Sequence, residues 1–264
     1  MTRRRICLSC TAVHSAGHFA KEILTMKNNA SLLVAGVACG LIWSLATGVA
    51  NAQAGADAWK AAKIYVPAAL ATAGACESDV NGSCVGAIKP GKHPVILYLH
   101  GCGGLRTPRT FLDHGAIVVA PNSFASGLAC RPDPVHMGQV FTARQADATY
   151  AAAQLKNAAW ADPDRLVLAG FSNGAQLTAT YAGNEFKARI IVAWTCNNPR
   201  ATWQNGVRGA EPALALLGTA DAFYRNIGIS GDCGAALSGR TNSRSLLIKD
   251  GTHAILGHAE TRAA

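Results

Sequence analysis

Residues 170–174 read Gly-Phe-Ser-Asn-Gly, a G-x-S-x-G pattern between an apolar run and a helix-compatible segment. Between a strand and a helix, this pattern holds a serine in a tight, strained turn. Backbone N–H groups at the start of the helix then stabilise negative charge that develops beside the serine. The glycines are needed because side chains there would collide with neighbouring backbone. The pattern predicts that Ser172 is a nucleophile.

A serine hydroxyl needs a base to remove its proton and an acid to orient that base, in the chain order serine, acid, histidine. Asp221 follows one apolar run through Gly218-Thr219-Ala220, and His253 follows the last such run. Side chains just after parallel strands gather at one edge of a sheet. We therefore predict that Asp221 and His253 complete a catalytic triad with Ser172.

Other residues could fill the same roles. Asp232 and Asp250 are the alternative acids, but both lie in stretches typical of solvated loops or turns. His258 is the alternative base, although a helical position five residues beyond His253 would direct it elsewhere. An ordinary surface role is the alternative for His253 itself.

The segment 99–104 (LHGCGG) follows the first strongly apolar run. An oxyanion intermediate requires two backbone N–H groups aimed at one point. We expect one from Asn173, after the nucleophile, and the other from Cys102, with Gly103 as the alternative. His100 is expected to hold this loop rather than to act as a base. Cys102 is disfavoured as a nucleophile because it lacks the turn that surrounds Ser172.

Short apolar runs alternate with longer helical segments, which is typical of a mostly parallel sheet flanked by helices on both faces. The predicted strands are Pro94–His100, Ala116–Ala120, Arg165–Ala169, Ile190–Trp194, Ala213–Leu217 and Ser245–Ile248. Helices are predicted over Gln139–Ala159, stopping before a turn at Asp162-Pro163-Asp164, and over Ala175–Ala182. Residues 56–92 contain several breakers and predict short antiparallel strands or loops at the sheet edge.

The order of these motifs resembles that of the dienelactone hydrolase family of α/β-hydrolases. The resemblance rests on H-G-C-G-G, P-N-S-F at 121–124, D-P-D-R before G-F-S-N-G, then G-T-A-D and G-T-H. It covers nearly the whole chain after residue 52. It implies an α/β-hydrolase fold with Ser172, Asp221 and His253 as nucleophile, acid and base. The namesake enzymes use a cysteine nucleophile, so this chain is more similar to exported serine-type members, whose substrates vary.

Together these residues predict a carboxylic-ester hydrolase that forms an acyl-enzyme on Ser172 and needs no metal or organic cofactor. The expected substrate is a small to medium-sized soluble ester, with Arg131 and Trp203 in the pocket wall. Acyl transfer and peptidase-like chemistry remain alternatives because the same triad serves them. A catalytically silent binding protein of the same fold is a further alternative.

Residues 1–52 resemble a secretory leader. A basic start at Met26-Lys27, the apolar stretch Ala30–Val49 and the sequence Ala50-Asn51-Ala52 are the three parts of a signal peptide. We predict cleavage after Ala52, with Ala54 as the alternative, which leaves one domain over residues 53–264. An uncleaved membrane anchor is the other interpretation, since about 20 apolar residues can span a bilayer. The expected location is periplasmic or extracellular, without membrane contact after cleavage.

Six of the nine cysteines lie outside this leader, and an even number in an exported chain favours disulfides. Their order and the predicted fold favour three pairs, although other pairings and buried free thiols remain possible. The favoured pairs are Cys76 with Cys84, Cys102 with Cys130, and Cys196 with Cys233. No cysteine or histidine spacing indicates a metal site.

The composition, 50% hydrophobic and 15% charged, excludes a disordered or coiled-coil chain. The formal net charge is +9, but residues 1–52 hold five basic residues against one acid, which leaves 19 basic and 14 acidic residues. The remaining basic residues are scattered, without a Lys/Arg run or interleaved aromatics. A nucleic-acid surface is therefore not predicted, and the surplus supports only a mild preference for anionic substrates.

Overall fold

The computed structural model describes residues 52–197, 205–226 and 232–264. The predicted leader lies outside these residues except for Ala52, and the cleavage site therefore stays a prediction. Among the described helices, none combines the length and apolar character needed to cross a membrane.

The strands of the described chain form one sheet in the order β2-β1-β4-β3-β5-β6-β7-β8. They are β1 (Lys63–Val66), β2 (Cys76–Asp79), β3 (His93–Leu99), β4 (Ile117–Ala120), β5 (Ala161–Phe171), β6 (Ala188–Val192), β7 (Ala213–Gly218) and β8 (Arg244–Ile248). Strands β3 to β8 pair in parallel, whereas β1 is antiparallel to both β2 and β4. Because β4 and β5 lie on opposite sides of β3, the chain reverses its direction across the sheet there. Ligand sites of open parallel sheets lie at such a reversal.

The described helical segments are α1 (residues 52–60), α2 (Ser83–Gly86), α3 (Arg109–Leu112), α4 (Pro134–Asn157), α5 (Asn173–Thr180), α6 (Ala222–Arg225), α7 (Gly234–Leu237) and α8 (Ala259–Ala263). Single 3₁₀ turns lie at Ala68–Leu70 and Ile255–Gly257. The first helix packs closely on α4, since a Cβ on Gly55 would lie 2.8 Å from the Ala146 carbonyl oxygen.

Alternating side chains of the central strand β3 pack on opposite faces of the sheet. Val95, Leu97 and Leu99 lie in one core with apolar residues of α4 and α5. Ile96 and Tyr98 lie in a second core, which contains Phe111 of α3. Helices therefore cover both faces of a mostly parallel sheet, which confirms the architecture predicted from the sequence.

Three predicted details differ in the structure. Helix α4 begins at Pro134 rather than Gln139, because the Asp133 side chain caps it by accepting the His136 N–H. The predicted turn at 162–164 is wrong: these residues belong to an irregular part of β5. There His93 of β3 pairs with Ala161, and the next pair joins Val95 to Leu166. The helix over residues 52–60 was not expected either, although β1 and β2 do form an antiparallel sheet edge.

Three disulfides are present in the described chain, and they join the cysteines in the favoured pairs. Cys76–Cys84 links β2 to α2, Cys102–Cys130 links the loop after β3 to the loop before α4, and Cys196–Cys233 links the loops after β6 and β7. Disulfides of this number are typical of proteins in an oxidising compartment.

Candidate active site

Ser172 lies in the turn between β5 and α5 with a φ of 56° and a ψ of −119°, a conformation that side-chain-bearing residues rarely adopt. A Cβ on Gly170 would lie 2.4 Å from the Gly174 carbonyl oxygen. A Cβ on Gly174 would lie 2.1 Å from the Leu99 carbonyl oxygen, which belongs to β3. Both contacts are too short for any side chain, so the turn requires glycine at both positions.

Ser172, His253 and Asp221 form a chain of hydrogen bonds. The Ser172 Oγ is 2.9 Å from His253 Nε2, and His253 Nδ1 is 2.7 Å from Asp221 Oδ2. Because a carboxylate only accepts, it favours the tautomer in which Nδ1 carries the proton and Nε2 is free to accept the serine proton. Asp221 is buried, whereas the His253 side chain is 30% exposed. The arrangement can therefore deprotonate a hydroxyl at a surface that a substrate can reach.

The loops that carry Asp221 and His253 are packed backbone against backbone. Asp221 directly precedes α6 and accepts the Phe223 N–H through its other carboxylate oxygen. The Ala220 N–H donates to the Gly251 carbonyl, and a Cβ on Gly218 would lie 2.0 Å from the same oxygen. The loops after β7 and β8 are thus held in register, which fixes the distance between acid and base.

Three aromatic rings surround the His253 imidazole. Its centroid lies 5.1 Å from that of Phe171, 5.3 Å from that of Phe223 and 5.8 Å from that of Tyr224. Tyr224 is buried and donates to the Ala193 carbonyl, and burial raises the pKa of its hydroxyl well above the usual range. Phe223 is instead 59% exposed. Sequence reasoning missed these aromatic residues because their type and spacing do not distinguish them from core residues.

The loop after β3 lies directly against the serine turn. A Cβ on Gly101 would lie 2.9 Å from the Phe171 ring. A Cβ on Gly174 would similarly lie too close to the Leu99 and His100 carbonyl groups. Within the described chain, the N–H groups of Cys102 and Asn173 donate no hydrogen bond to the protein. Both expected oxyanion donors therefore lack an acceptor among residues 52–197, 205–226 and 232–264, and their catalytic role stays a prediction.

His100 is buried behind this loop and holds it. Its Nε2 accepts the Ser123 N–H at 3.2 Å, so its Nδ1 carries the proton and donates to the Gly101 carbonyl at 2.7 Å. Burial, followed by the nearby charge of Arg144, lowers the pKa of His100 to about 4. The imidazole is therefore neutral at physiological pH and uses both nitrogens within the protein.

Arg144 and Asp147 of α4 are both buried behind the same loop, and the charge of each influences the other. Arg144 donates to the Ser123 hydroxyl at 3.3 Å and to the Gly101 carbonyl at 3.4 Å, and its guanidinium lies 5.2 Å from the Phe124 ring centroid. Burial lowers the pKa of Arg144 to about 10 and raises the pKa of Asp147 to about 6. Sequence reasoning missed the pair because charged residues three apart on a helix usually mark a solvated face.

The remaining candidates lie apart from the hydrogen-bonded chain. Arg131 is exposed and follows Cys130, while Trp203 lies outside the described residues. Asp232 accepts the Gly234 N–H, and Asp250 occupies a turn with a φ of 56°. His258 precedes α8 instead of lying within a helix. Where side chains are described, no group of three His, Cys, Asp or Glu residues could hold a metal ion.

The parallel sheet, the serine turn after β5 and the acid and histidine after β7 and β8 together define an α/β-hydrolase fold. No family model and no curated protein matches the sequence.

Solved structures similar to this chain include dienelactone hydrolase-like proteins and esterases. A dienelactone hydrolase-like promiscuous phosphotriesterase from metagenomic libraries has 14% identity over 74% of this chain and 83% of its own, with a TM-score of 0.45. A hyperthermophilic esterase from the archaeon Pyrobaculum calidifontis has 14% identity over 78% and 82%, with a TM-score of 0.44. A puromycin-hydrolysing peptidase from Mycobacterium tuberculosis has 19% identity over 63% of this chain, with a TM-score of 0.43, and this chain spans only 32% of its length.

Proposed function

We propose that this protein is a serine-dependent carboxylic-ester hydrolase. One observation carries the proposal: the hydrogen-bonded chain from the Ser172 Oγ through His253 to the buried Asp221, at a strained turn where the serine is partly accessible. A nucleophile, a base and an orienting acid in this geometry are the parts that acyl transfer to water requires.

In the proposed acylation step, Ser172 Oγ attacks the ester carbonyl carbon while His253 Nε2 takes the serine proton. The C=O π pair moves onto the carbonyl oxygen, which accepts hydrogen bonds from the Cys102 and Asn173 N–H groups. The tetrahedral intermediate then collapses, the bond to the leaving alcohol breaks, and His253 returns the proton to that oxygen. Asp221 holds the imidazole and stabilises its transient positive charge.

Deacylation repeats these steps with water as the nucleophile. His253 takes a proton from water, whose oxygen attacks the acyl carbon, and then returns the proton to Ser172 as the carboxylic acid leaves. The residues named here act without a metal or an organic cofactor.

The proposed substrate is a small or medium-sized ester in the periplasm or outside the cell. The three disulfides support an oxidising compartment. The partly exposed histidine and the exposed Phe223 ring beside it support access by a soluble molecule with an apolar part. Neither a nucleic acid nor a membrane is a partner in this proposal.

The test is hydrolysis of p-nitrophenyl esters of increasing acyl length by the purified exported protein and by Ser172→Ala. We expect turnover by the wild type and a loss on the order of 10⁵-fold in kcat in the variant. Ser238→Ala is a matched control because Ser238 is exposed on the C-terminal side of α7. It should keep wild-type activity.

Labelling with a fluorophosphonate separates the alternatives. A wild type that labels at Ser172 but hydrolyses no ester would have an active nucleophile with a different reaction, such as acyl transfer or peptide cleavage. Product analysis with an added alcohol or amide would identify that reaction. A wild type that neither labels nor hydrolyses would overturn the proposal and favour a binding protein.

A further inference from the structure

We propose that Arg144 is a positioning residue that holds the Gly101–Cys102 peptide so that the Cys102 N–H faces the developing oxyanion. This inference rests on the proposed esterase function. Arg144 itself does not touch the reacting atoms: it acts through the Gly101 carbonyl, to which it donates a hydrogen bond.

Peptide geometry links the Gly101 carbonyl to the Cys102 N–H. The Gly101 carbonyl and the Cys102 N–H belong to the same planar unit, and in a trans peptide they point in opposite directions. No cis peptide bond occurs in the described chain. Whatever fixes the direction of the Gly101 carbonyl therefore also fixes the direction of the Cys102 N–H.

The donors to the Gly101 carbonyl divide into two kinds. The His100 Nδ1–H at 2.7 Å and the Gly104 N–H at 3.2 Å belong to the same loop and would move with it. The Arg144 guanidinium, at 3.4 Å, is the one described donor that belongs to another element, helix α4. It therefore ties the peptide to the framework of the domain.

The same contact strengthens the Cys102 N–H as a donor. A cation beside the carbonyl oxygen polarises the amide and increases the partial positive charge at its N–H end. Tyr98, His100 and Asp147 also face the buried guanidinium, and among them only Asp147 can balance its charge. The field of Arg144 is little screened because its side chain is fully buried.

Stability alone does not account for such a residue. Burial of a charged side chain carries a desolvation cost that its contacts often do not offset, and Arg144 Nε has no hydrogen-bond partner in the described structure. Arg144 is instead placed behind the loop that packs on the serine turn. A small rotation of the Gly101–Cys102 peptide there would misdirect one of the two expected oxyanion donors.

The test compares Arg144→Met and Arg144→Lys with Arg189→Met in the full exported protein. Arg189 is a matched control because it is equally buried, but it pairs with Glu211 and donates to carbonyl groups at the far end of α5. Rates are referred to the folded fraction from circular dichroism. A boronic acid, which mimics the tetrahedral adduct on serine, reports oxyanion stabilisation independently of turnover.

We expect Arg144→Met to lower kcat by about 10- to 100-fold, less than complete removal of an oxyanion donor, with KM within about threefold of wild type. Boronate affinity should fall in parallel with kcat/KM. Arg144→Lys should recover part of the loss, because it keeps the charge but lacks the fork that reaches two acceptors. Arg189→Met should have a lower melting temperature than the wild type but the same kcat.

Equal kcat values for Arg144→Met and Arg189→Met, or a raised KM with unchanged kcat, would overturn the inference. If Arg144→Met does not fold, Arg144→Lys decides: a reduced kcat with unchanged boronate affinity refutes the positioning role. An inactive wild type that also fails to bind the boronate would instead mean that the proposed esterase function is wrong, since there would be no oxyanion stabilisation to lose.

Discussion

The Phe223 ring is an apolar surface that the fold leaves exposed at the side of the imidazole. It lies 5.3 Å from the His253 ring with an interplanar angle of 31°, and 59% of the residue is accessible. Its position follows from Asp221, two residues earlier, because the Phe223 N–H donates to the carboxylate of that acid. Under the proposed function, this surface would contact the apolar part of an ester.

We expect Phe223→Ala to raise KM for p-nitrophenyl esters about fivefold, corresponding to the loss of roughly 1 kcal/mol of apolar contact. Its kcat should change less than twofold, because the backbone N–H that holds Asp221 is kept. Steady-state kinetics over the acyl-length series measures this effect. Val135→Ala is the control, since Val135 is 77% exposed at the start of α4. Equal KM values in all three proteins would exclude Phe223 from the substrate site.

Sequence motifs predicted the residues whose chemistry is distinctive, and the structure joins Ser172, Asp221 and His253 by hydrogen bonds. These three residues could be recognised in the sequence because the G-x-S-x-G motif, and the chain order of serine, acid and histidine, are visible in a single sequence. Phe223 and Arg144 belong to no such motif. Their positions depend on which strands are neighbours, and a single sequence does not contain that information.

At the scale of elements, the loop after β3 is held from several sides. The Leu99 and His100 carbonyl groups pack on Gly174, the Gly101 carbonyl accepts from α4, and Cys102 is bonded to Cys130. The disulfide closes a segment whose ends are 28 residues apart and joins this loop to the loop before α4. It should therefore affect both stability and the direction of the Cys102 N–H.

We expect Cys102→Ala/Cys130→Ala to lower the free energy of unfolding by about 3 kcal/mol, from the loss of loop closure. It should also lower kcat severalfold while retaining the Cys102 N–H. The control is Cys76→Ala/Cys84→Ala, which removes the disulfide at the β2 edge of the sheet. This control should lose stability and keep kcat. Denaturant unfolding and ester kinetics on both pairs provide the comparison, and equal kcat values would show that the loop does not need its disulfide.

The elements themselves were predictable to different extents. The buried parallel strands stand out as apolar runs, and β3, β4, β6, β7 and β8 lie within a residue or two of their expected positions. The start of β5 was not predictable, because Asp162-Pro163-Asp164 favours a turn until pairing with β3 draws it into the sheet. Helix α1 (residues 52–60) forms against α4, and this tertiary contact outweighs the weak helical signal of its sequence.

At the scale of the whole molecule, two buried groups behind the same loop oppose each other in their response to pH. The pKa of Asp147 is raised from 3.8 to about 6, so its contribution to stability falls as the pH rises through that interval. The pKa of His100 is lowered from 6.5 to about 4, so its contribution falls as the pH decreases from 6.5 to 4. Over the shared interval the two contributions offset each other, and the domain's stability depends less on pH than either group alone would make it.

In Asp147→Asn, the pH dependence of stability that comes from His100 should no longer be offset by Asp147. The variant loses the group that stabilises the folded state on acidification, while His100 still destabilises it, so the difference in melting temperature between variant and wild type should grow more negative from pH 6.5 to pH 4. Thermal unfolding by circular dichroism at half-unit pH intervals measures this effect. Asp113→Asn, at an exposed position, should follow the wild type throughout. A difference for Asp147→Asn that stays constant between pH 6.5 and 4 would mean that folding does not change the proton affinity of Asp147, so this carboxyl group would not offset His100.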